Sequence, residues 1–292
     1  SKKFINVKNE FKNLDYYIKK LNFVIPKNTV ATLHSSYVDI IKKTSVFLNK
    51  NKIRNLLIIG DRYEAFLFSI VAKNYGVRII HISGGEKTLG SLDNVYRNAI
   101  SNLSDIHFPS LNIYKKQLVS LGIDNKNIFP VGEIGLSYLD NCSFLTKKII
   151  EKNLNFKFFK KNILITYHPN SVNYNETKVE IEILLESLKN LKNIGLIFTF
   201  SNSDLGHDII NKSLSNFVSK NINNSILVNS LGDQMYRSVL KYVDAVIGNS
   251  SSGIWEVPSF KIPTLNIGDR QKGRYKPNSV IDCPFNKKLI IK

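Results

Sequence analysis

The chain has 292 residues, of which 43% are hydrophobic, and its 41 Lys and Arg outweigh 23 Asp and Glu to give a formal net charge of +18. That length supplies about two domains with real cores and excludes a small stapled scaffold. No apolar run approaches the ~18 residues of a spanning helix, and Ser1 to Asn9 lack the apolar stretch of a signal peptide, so no membrane partner is expected.

From Arg54 onward, short β-branched apolar runs alternate with amphipathic windows, the pattern of an α/β protein built on parallel sheets. Strands are expected at Arg54–Gly60, Val77–Ile82, Asp105–Phe108 and Asn127–Val131, with helices at Arg62–Tyr75, Asp93–Asn102 and Leu111–Leu121. A Lys-rich helical stretch, Leu145–Lys161, reads as the linker. The alternation then restarts with strands at Asn162–Tyr167, Gly195–Phe200, Ser225–Asn229, Ala245–Gly248 and Thr264–Ile267. Between these lie helices at Glu176–Leu191, Leu205–Val218, Asp233–Tyr242 and Gly253–Phe260. Two doubly wound domains facing a cleft account for this order, with ligands at the strand exits.

The positive charge is dispersed in pairs such as Lys19-Lys20, Lys42-Lys43 and Lys115-Lys116. Charge spread in that way belongs to solvated faces, and no nucleic-acid partner is expected. Two distant cysteines, Cys142 and Cys283, without CxxC spacing or zinc-type neighbours, predict reduced thiols of a cytoplasmic protein. Arginine is rarer: of seven, Arg62, Arg97, Arg270 and Arg274 lie in Gly/Ser-rich acidic stretches. Among so many lysines, a guanidinium at a turn points to a need for a planar fork on phosphate or carboxylate.

Four stretches carry chemistry. Gly60-Asp61-Arg62-Tyr63-Glu64 joins a strand to a helix start, where free N–H groups favour an anion; Asp61 and Glu64 equally fit a capping box. Ser83-Gly84-Gly85-Glu86 leads through Asp93 to Arg97 and offers carboxylates beside a guanidinium, the alternative for Asp93 and Arg97 being an i,i+4 surface pair. His168 follows a strand and precedes Pro169, a place that suits phosphate contact or proton transfer; His34, His107 and His207 have no such setting. Gly248-Asn249-Ser250-Ser251-Ser252-Gly253, with Glu256 a turn later and two arginines at the next strand exit, reads as a nucleotide-diphosphate site in which Glu256 accepts from ribose.

These motifs, GDRYE, HISGGEKTLGSLDNVYRNAI, VGEIGLSYLD, TYHPN and GNSSSGIWEVPSFKIPTLNIGDRQKGR, stand in one order over Leu56 to Asp282. The chain thereby resembles the hydrolysing UDP-N-acetylglucosamine 2-epimerases of bacterial sialic-acid biosynthesis. The resemblance implies a glycosyltransferase-B-like pair of Rossmann-like domains, residues 1–150 and 151–292, with the site in the interdomain cleft. It places the family's first strand and glycine-arginine loop before Ser1 and its terminal helices after Lys292, so the chain reads as a fragment or a shortened relative.

The implied reaction converts UDP-GlcNAc to ManNAc and UDP through a 2-acetamidoglucal, with no metal or NAD, in a cytoplasmic homodimer. By motif position, Asp61, Glu86 and Asp93 are the acid/base candidates, Arg97 orients them and His168 assists. Arg62, His168, Asn202, Ser250, Ser251, Ser252, Glu256 and Arg270 would hold UDP. Ser83 stands where many relatives carry Glu or His, and Asn98 where His is usual. A GDP- or UDP-linked related amino sugar as substrate, or a nucleotide-sugar-binding relative without catalysis, are the alternatives.

Overall fold

A computed structural model describes residues 21–23, 29–89, 91–137, 139, 142–170, 174–202, 204 and 206–292. The leader reading of Ser1–Asn9, and Gly90 and Ser203 of the quoted loops, lie outside the described residues. The described residues form two compact units, one of residues 21–137 with Lys272–Arg274, the other of residues 139–271 with Tyr275–Lys292.

The first unit runs α1 (Val30–Lys50), β1 (Asn55–Ile59), α2 (Tyr63–Asn74), β2 (Arg78–Ile82), α3 (Asp93–Leu103), β3 (Ile106–Phe108) and α4 (Asn112–Ser120). Its strands pair in parallel in the order β1-β2-β3. Ile58 and Ile79 from the strands pack with Leu48, Val71, Ala72 and Ile100 from the helices. α1 is absent from the sequence reading for a physical reason. Its buried stripe is Ser36, Ile40, Thr44 and Leu48, and two polar members in four blur the apolar period.

His81 in β2 fixes the top of this unit. Its Nε2 donates to the Gly60 carbonyl at 2.9 Å, so its Nδ1 accepts from Ser101 Oγ at 3.0 Å, tying the β1 exit to α3. Gly84 is required beside it, because a Cβ there would stand 2.9 Å from both His81 Nδ1 and Ser101 Oγ. Burial is the main force on the ring and lowers its pKa to about 4, so it is held neutral.

The second unit runs α5 (Lys147–Leu154), β4 (Lys161–Thr166), α6 (Thr177–Leu188), β5 (Ile194–Thr199), α7 (His207–Lys220), β6 (Ser225–Val228), α8 (Gly232–Leu240), β7 (Ala245–Gly248), α9 (Ser252–Trp255), β8 (Thr264–Ile267), β9 (Val280–Cys283) and α10 (Lys287–Ile291). All six strands are parallel, in the order β6-β5-β4-β7-β8-β9, which is the Rossmann order with its switch point between β4 and β7. Alternate residues of one strand serve two cores. Ile165, Leu196, Phe198 and Ile247 pack with α6 and α7, while Leu164, Ile197 and Val246 pack with α5 and α8. Burial on both faces is what makes these strands continuously apolar.

Several expected elements differ. At Asn127–Val131 the pairing is a bridge from Ile128 to His107, with the Phe129 and Val131 N–H groups donating to the His107 and Pro109 carbonyls at 2.9 and 3.0 Å. The expected linker helix is eight residues long, stops at left-handed Asn155 (φ 49°) and sends Ile150 and Phe156 into the second core, so the division falls at Ser137 and not at residue 150. The helix expected at Gly253–Phe260 divides into α9 and a 3-10 turn, Val257–Phe260, because Pro258 has no N–H to continue it. β9 and α10 were not anticipated: Ile281 and Asp282 are exposed, so β9 shows no apolar run.

Two outcomes follow from this packing. Gly248 sits at φ 143° against β4, and a Cβ would collide with the Thr166 carbonyl, whereas Gly122 (φ 87°) faces open space. Urea unfolding is expected to show a loss of roughly 2–4 kcal/mol for Gly248→Ala and only about 1 kcal/mol for Gly122→Ala. For His81, the unfolded ring, titrating near 6.5, binds more protons than the folded one down to about pH 4. Its contribution is therefore complete above pH 6.5 and is lost as pH falls. Between pH 7 and pH 5 the wild-type protein should lose about 2 kcal/mol more stability than His81→Gln, measured by denaturant titration at each pH.

Candidate active site

In the first unit the exits of β1 and β2 and the start of α3 build a carboxylate cluster around a buried guanidinium. The Arg97 side chain, 1% exposed, pairs through NH2 with Asp61 and through NH1 donates to the Glu86 carbonyl at 3.0 Å and to Thr88 Oγ1 at 2.9 Å. Asp61 does not cap α2. Arg62 occupies the cap position of α2 and turns back on Glu64, with Nε 3.1 Å from Oε2, while the Asp61 carboxylate goes to Arg97.

Glu86 is 4% exposed, and Arg274 NH2 lies 3.0 Å from its Oε2 and 3.8 Å from Asp61 Oδ2. Burial raises the Glu86 pKa above the usual carboxylate range. Arg274 and Arg97 oppose that rise, and Asp61 and Glu133 add to it. Glu133, from the VGEIG stretch, is itself raised by burial and faces Arg274. Asp93, in the first turn of α3 and one turn before Arg97, accepts from Ser91 Oγ at 2.8 Å. Ser83 holds a left-handed conformation (φ 62°) and its N–H donates to the Phe108 carbonyl at 3.0 Å.

In the second unit the switch point collects the remaining candidates. Asn249 clamps the two exits, its Oδ1 accepting from the His168 N–H at 2.7 Å and its Nδ2 donating to the His168 carbonyl at 2.8 Å. Its own carbonyl accepts from Arg270 NH1 at 3.1 Å and from Gln271 Nε2 at 2.8 Å. His168 Nδ1 accepts the Asn202 amide at 3.1 Å, which places the proton of the neutral ring on Nε2. The Asn202 side chain donates to Asp204 Oδ2 at 2.6 Å, and Arg270 NH2 stands 3.8 Å from the same oxygen.

The Ser250 and Ser252 hydroxyls are 3.2 Å apart, and the hydroxyl of half-buried Tyr236 meets that of Ser252 at 2.7 Å. Ser251 caps α9, and Glu256 follows its last residue. A loop with this many hydroxyls and amides is suited to an anion. Among the described residues, no group of three or more His, Cys, Asp and Glu side chains is disposed to hold a metal ion. No described helix is long and apolar enough to cross a membrane.

The structure thus brings Asp61, Glu86 and Arg97 together in one unit, with Asp93 a turn away and Arg62 turned to Glu64. It gathers His168, Asn202, Ser250, Ser251, Ser252, Glu256 and Arg270 around the switch point of the other. The sequence reading left Asn249, Tyr236 and Glu133 without individual roles, and it set Arg274 beside Arg270 at the nucleotide-diphosphate site, whereas the structure sets its guanidinium against Glu86. A signal existed for Arg274, as one of the rare arginines; Asn249 has none, since an asparagine before three serines reads as part of the loop.

The family model described as UDP-N-acetylglucosamine 2-epimerase matches residues 3–292. A GDP/UDP-N,N'-diacetylbacillosamine 2-epimerase (hydrolyzing) of Campylobacter jejuni is 45% identical over 231 residues, which are 79% of this chain and 60% of that protein. The polysialic acid biosynthesis protein P7 of Escherichia coli is 34% identical over 293 residues, 97% of this chain and 74% of the relative. The solved UDP-GlcNAc 2-epimerase of Neisseria meningitidis, bound to UDP-GlcNAc, superposes with a TM-score of 0.76 at 19% identity, over 98% of this chain and 77% of that one. That likeness is one of fold, the paired Rossmann-like, glycosyltransferase-B-like architecture. The chain belongs to the UDP-N-acetylglucosamine 2-epimerase family.

Proposed function

We propose that the protein is a hydrolysing 2-epimerase that converts UDP-GlcNAc to ManNAc and UDP. The observation that carries this reading is the dry Glu86 carboxylate set beside Asp61, Arg97 and Arg274, a cluster fitted to moving a weakly acidic proton. In the first step a carboxylate takes the proton at C2, the electron pair forms the C1=C2 double bond and the C1–O bond to UDP breaks. In the second, water adds its oxygen to C1 and C2 is reprotonated from the opposite face, which releases ManNAc.

Asp61, Glu86 and Asp93 supply the acid and base, and Arg97 fixes Asp61. The departing diphosphate carries the largest developing charge, and donors aimed at it contribute most to the rate. His168 Nε2–H, Ser250, Ser251, Ser252, Arg62 and Arg270 serve there, with Asn202 ordering His168 and Glu256 accepting from the ribose. A second reading, a GDP- or UDP-linked N,N'-diacetylbacillosamine as the substrate, is favoured by the 45% identity to the Campylobacter relative. The same proton transfers serve it.

The test is incubation in deuterated water with UDP-GlcNAc and, separately, with UDP- and GDP-linked N,N'-diacetylbacillosamine, followed by NMR. The expected result is free nucleotide and a 2-epimeric sugar carrying deuterium at C2. Nucleotide binding without release from any of the three would make the protein a binding relative and not an enzyme. Asp93→Asn is expected to lower turnover by about 10²-fold or more while calorimetric affinity for UDP stays within about twofold. An active Asp93→Asn protein would remove Asp93 from the mechanism.

A further inference from the structure

We propose that Arg274 is a positioning residue of this site that acts through Glu86, its guanidinium holding the Glu86 carboxylate in the orientation and charge state from which a proton is moved. This rests on the epimerase reading above and adds a residue to it. The division of labour between the arginines supports the assignment. Arg97 directs NH1 to the Glu86 backbone carbonyl and Thr88 and NH2 to Asp61. Arg274 NH2 meets the Glu86 carboxylate itself, at 3.0 Å.

The segment that delivers Arg274 is built for that place. Leu89 N–H donates to the Lys272 carbonyl at 2.8 Å, so the residues just after Glu86 hold the residues just before Arg274. Gly273 between them adopts φ 90°, and a Cβ there would press on Leu89 Cγ at 3.0 Å and Lys87 Cβ at 3.4 Å. Lys272–Arg274 packs in the first unit although residues 271 and 275 belong to the second. The Arg274 side chain is itself 8% exposed, so its contact with Glu86 is shielded from solvent.

The charges facing Glu86 are Arg274, Arg97, Asp61 and Glu133. With Arg274 gone, a dry carboxylate would remain beside two others with one guanidinium in place of two. It would take up a proton, and at a pH below the midpoint each unit by which the midpoint rises leaves about tenfold less of the ionised form.

The experiment is a 13C NMR titration of the Glu side-chain carboxyls in wild type, Arg274→Gln and Arg274→Lys, with the Glu86 signal assigned from Glu86→Gln. Arg274→Gln should raise the Glu86 midpoint by about one pH unit or more, and Arg274→Lys, which keeps the charge and loses the fork, by less. On the nucleotide sugar that the wild type turns over, kcat for Arg274→Gln should fall about tenfold or more with KM within about twofold, and the pH-profile limb that Glu86→Gln abolishes should move to higher pH. A Glu86 midpoint unchanged in both variants, at native thermal midpoints, overturns the proposal, as does a shifted midpoint with unchanged kcat. If Arg274→Gln does not fold, Arg274→Lys decides by the same readings. A wild type inactive on every nucleotide sugar overturns the epimerase reading instead, and the Glu86 midpoint then decides the Arg274 contact alone.

Discussion

A guanidinium cannot be buried without partners, and the first unit is arranged around that constraint. Arg97 is almost wholly enclosed, so an unpaired charge there would cost several kcal/mol. Its three partners come from two places in the chain: Asp61 from the β1 exit, and the Glu86 carbonyl and Thr88 from the loop after β2. Satisfying Arg97 therefore sets the course of both loops. The same loop carries the Glu86 side chain that meets Arg274. One buried cation thus organises both the local fold and the carboxylates.

The second unit answers a different constraint with a neutral side chain. At the switch point of a parallel sheet, β4 and β7 diverge towards opposite faces and their exits have no ladder to hold them. Gly248 lets β7 lie against the Thr166 carbonyl, and the Asn249 amide then replaces the missing ladder with a donor and an acceptor to one residue, His168. The Asn249 carbonyl in turn holds Arg270 and Gln271. The side-chain amide thus joins the β4 and β7 exits, and the backbone carbonyl joins them to the loop after β8.

How much of this was legible in the sequence depended on whether a residue's role is local. Strands β4, β5 and β7 are buried on both faces and appear as unbroken apolar runs, so they were found within a residue or two. α1 was not, because Ser36 and Thr44 occupy half of its buried stripe. The pairing of Asp61 with Arg97 spans 36 residues, and within reach of Asp61 along the chain stood a rival, the Asp61–Glu64 capping box, that only the fold removes. The Arg274 contact spans 188 residues in sequence between Glu86 and Arg274, beyond any local pattern. Rarity and a place at a strand exit pointed to a fork there, but toward a diphosphate and not toward Glu86.

Epimerisation at one carbon takes a proton off one face and returns one to the other, which asks for one group that accepts a proton and another that holds one. The cluster is not symmetrical. Asp61 is 21% exposed and bound to Arg97, so its charge is shared with a fixed cation and with water. Glu86 is drier, and burial competes in it against two guanidiniums, which leaves its proton affinity above that of an ordinary carboxylate. The surroundings of Glu86 thus set it apart from an ordinary carboxylate. The asymmetry is created by the arginines and by burial together, so it is a property of the folded unit and not of the motif residues taken singly.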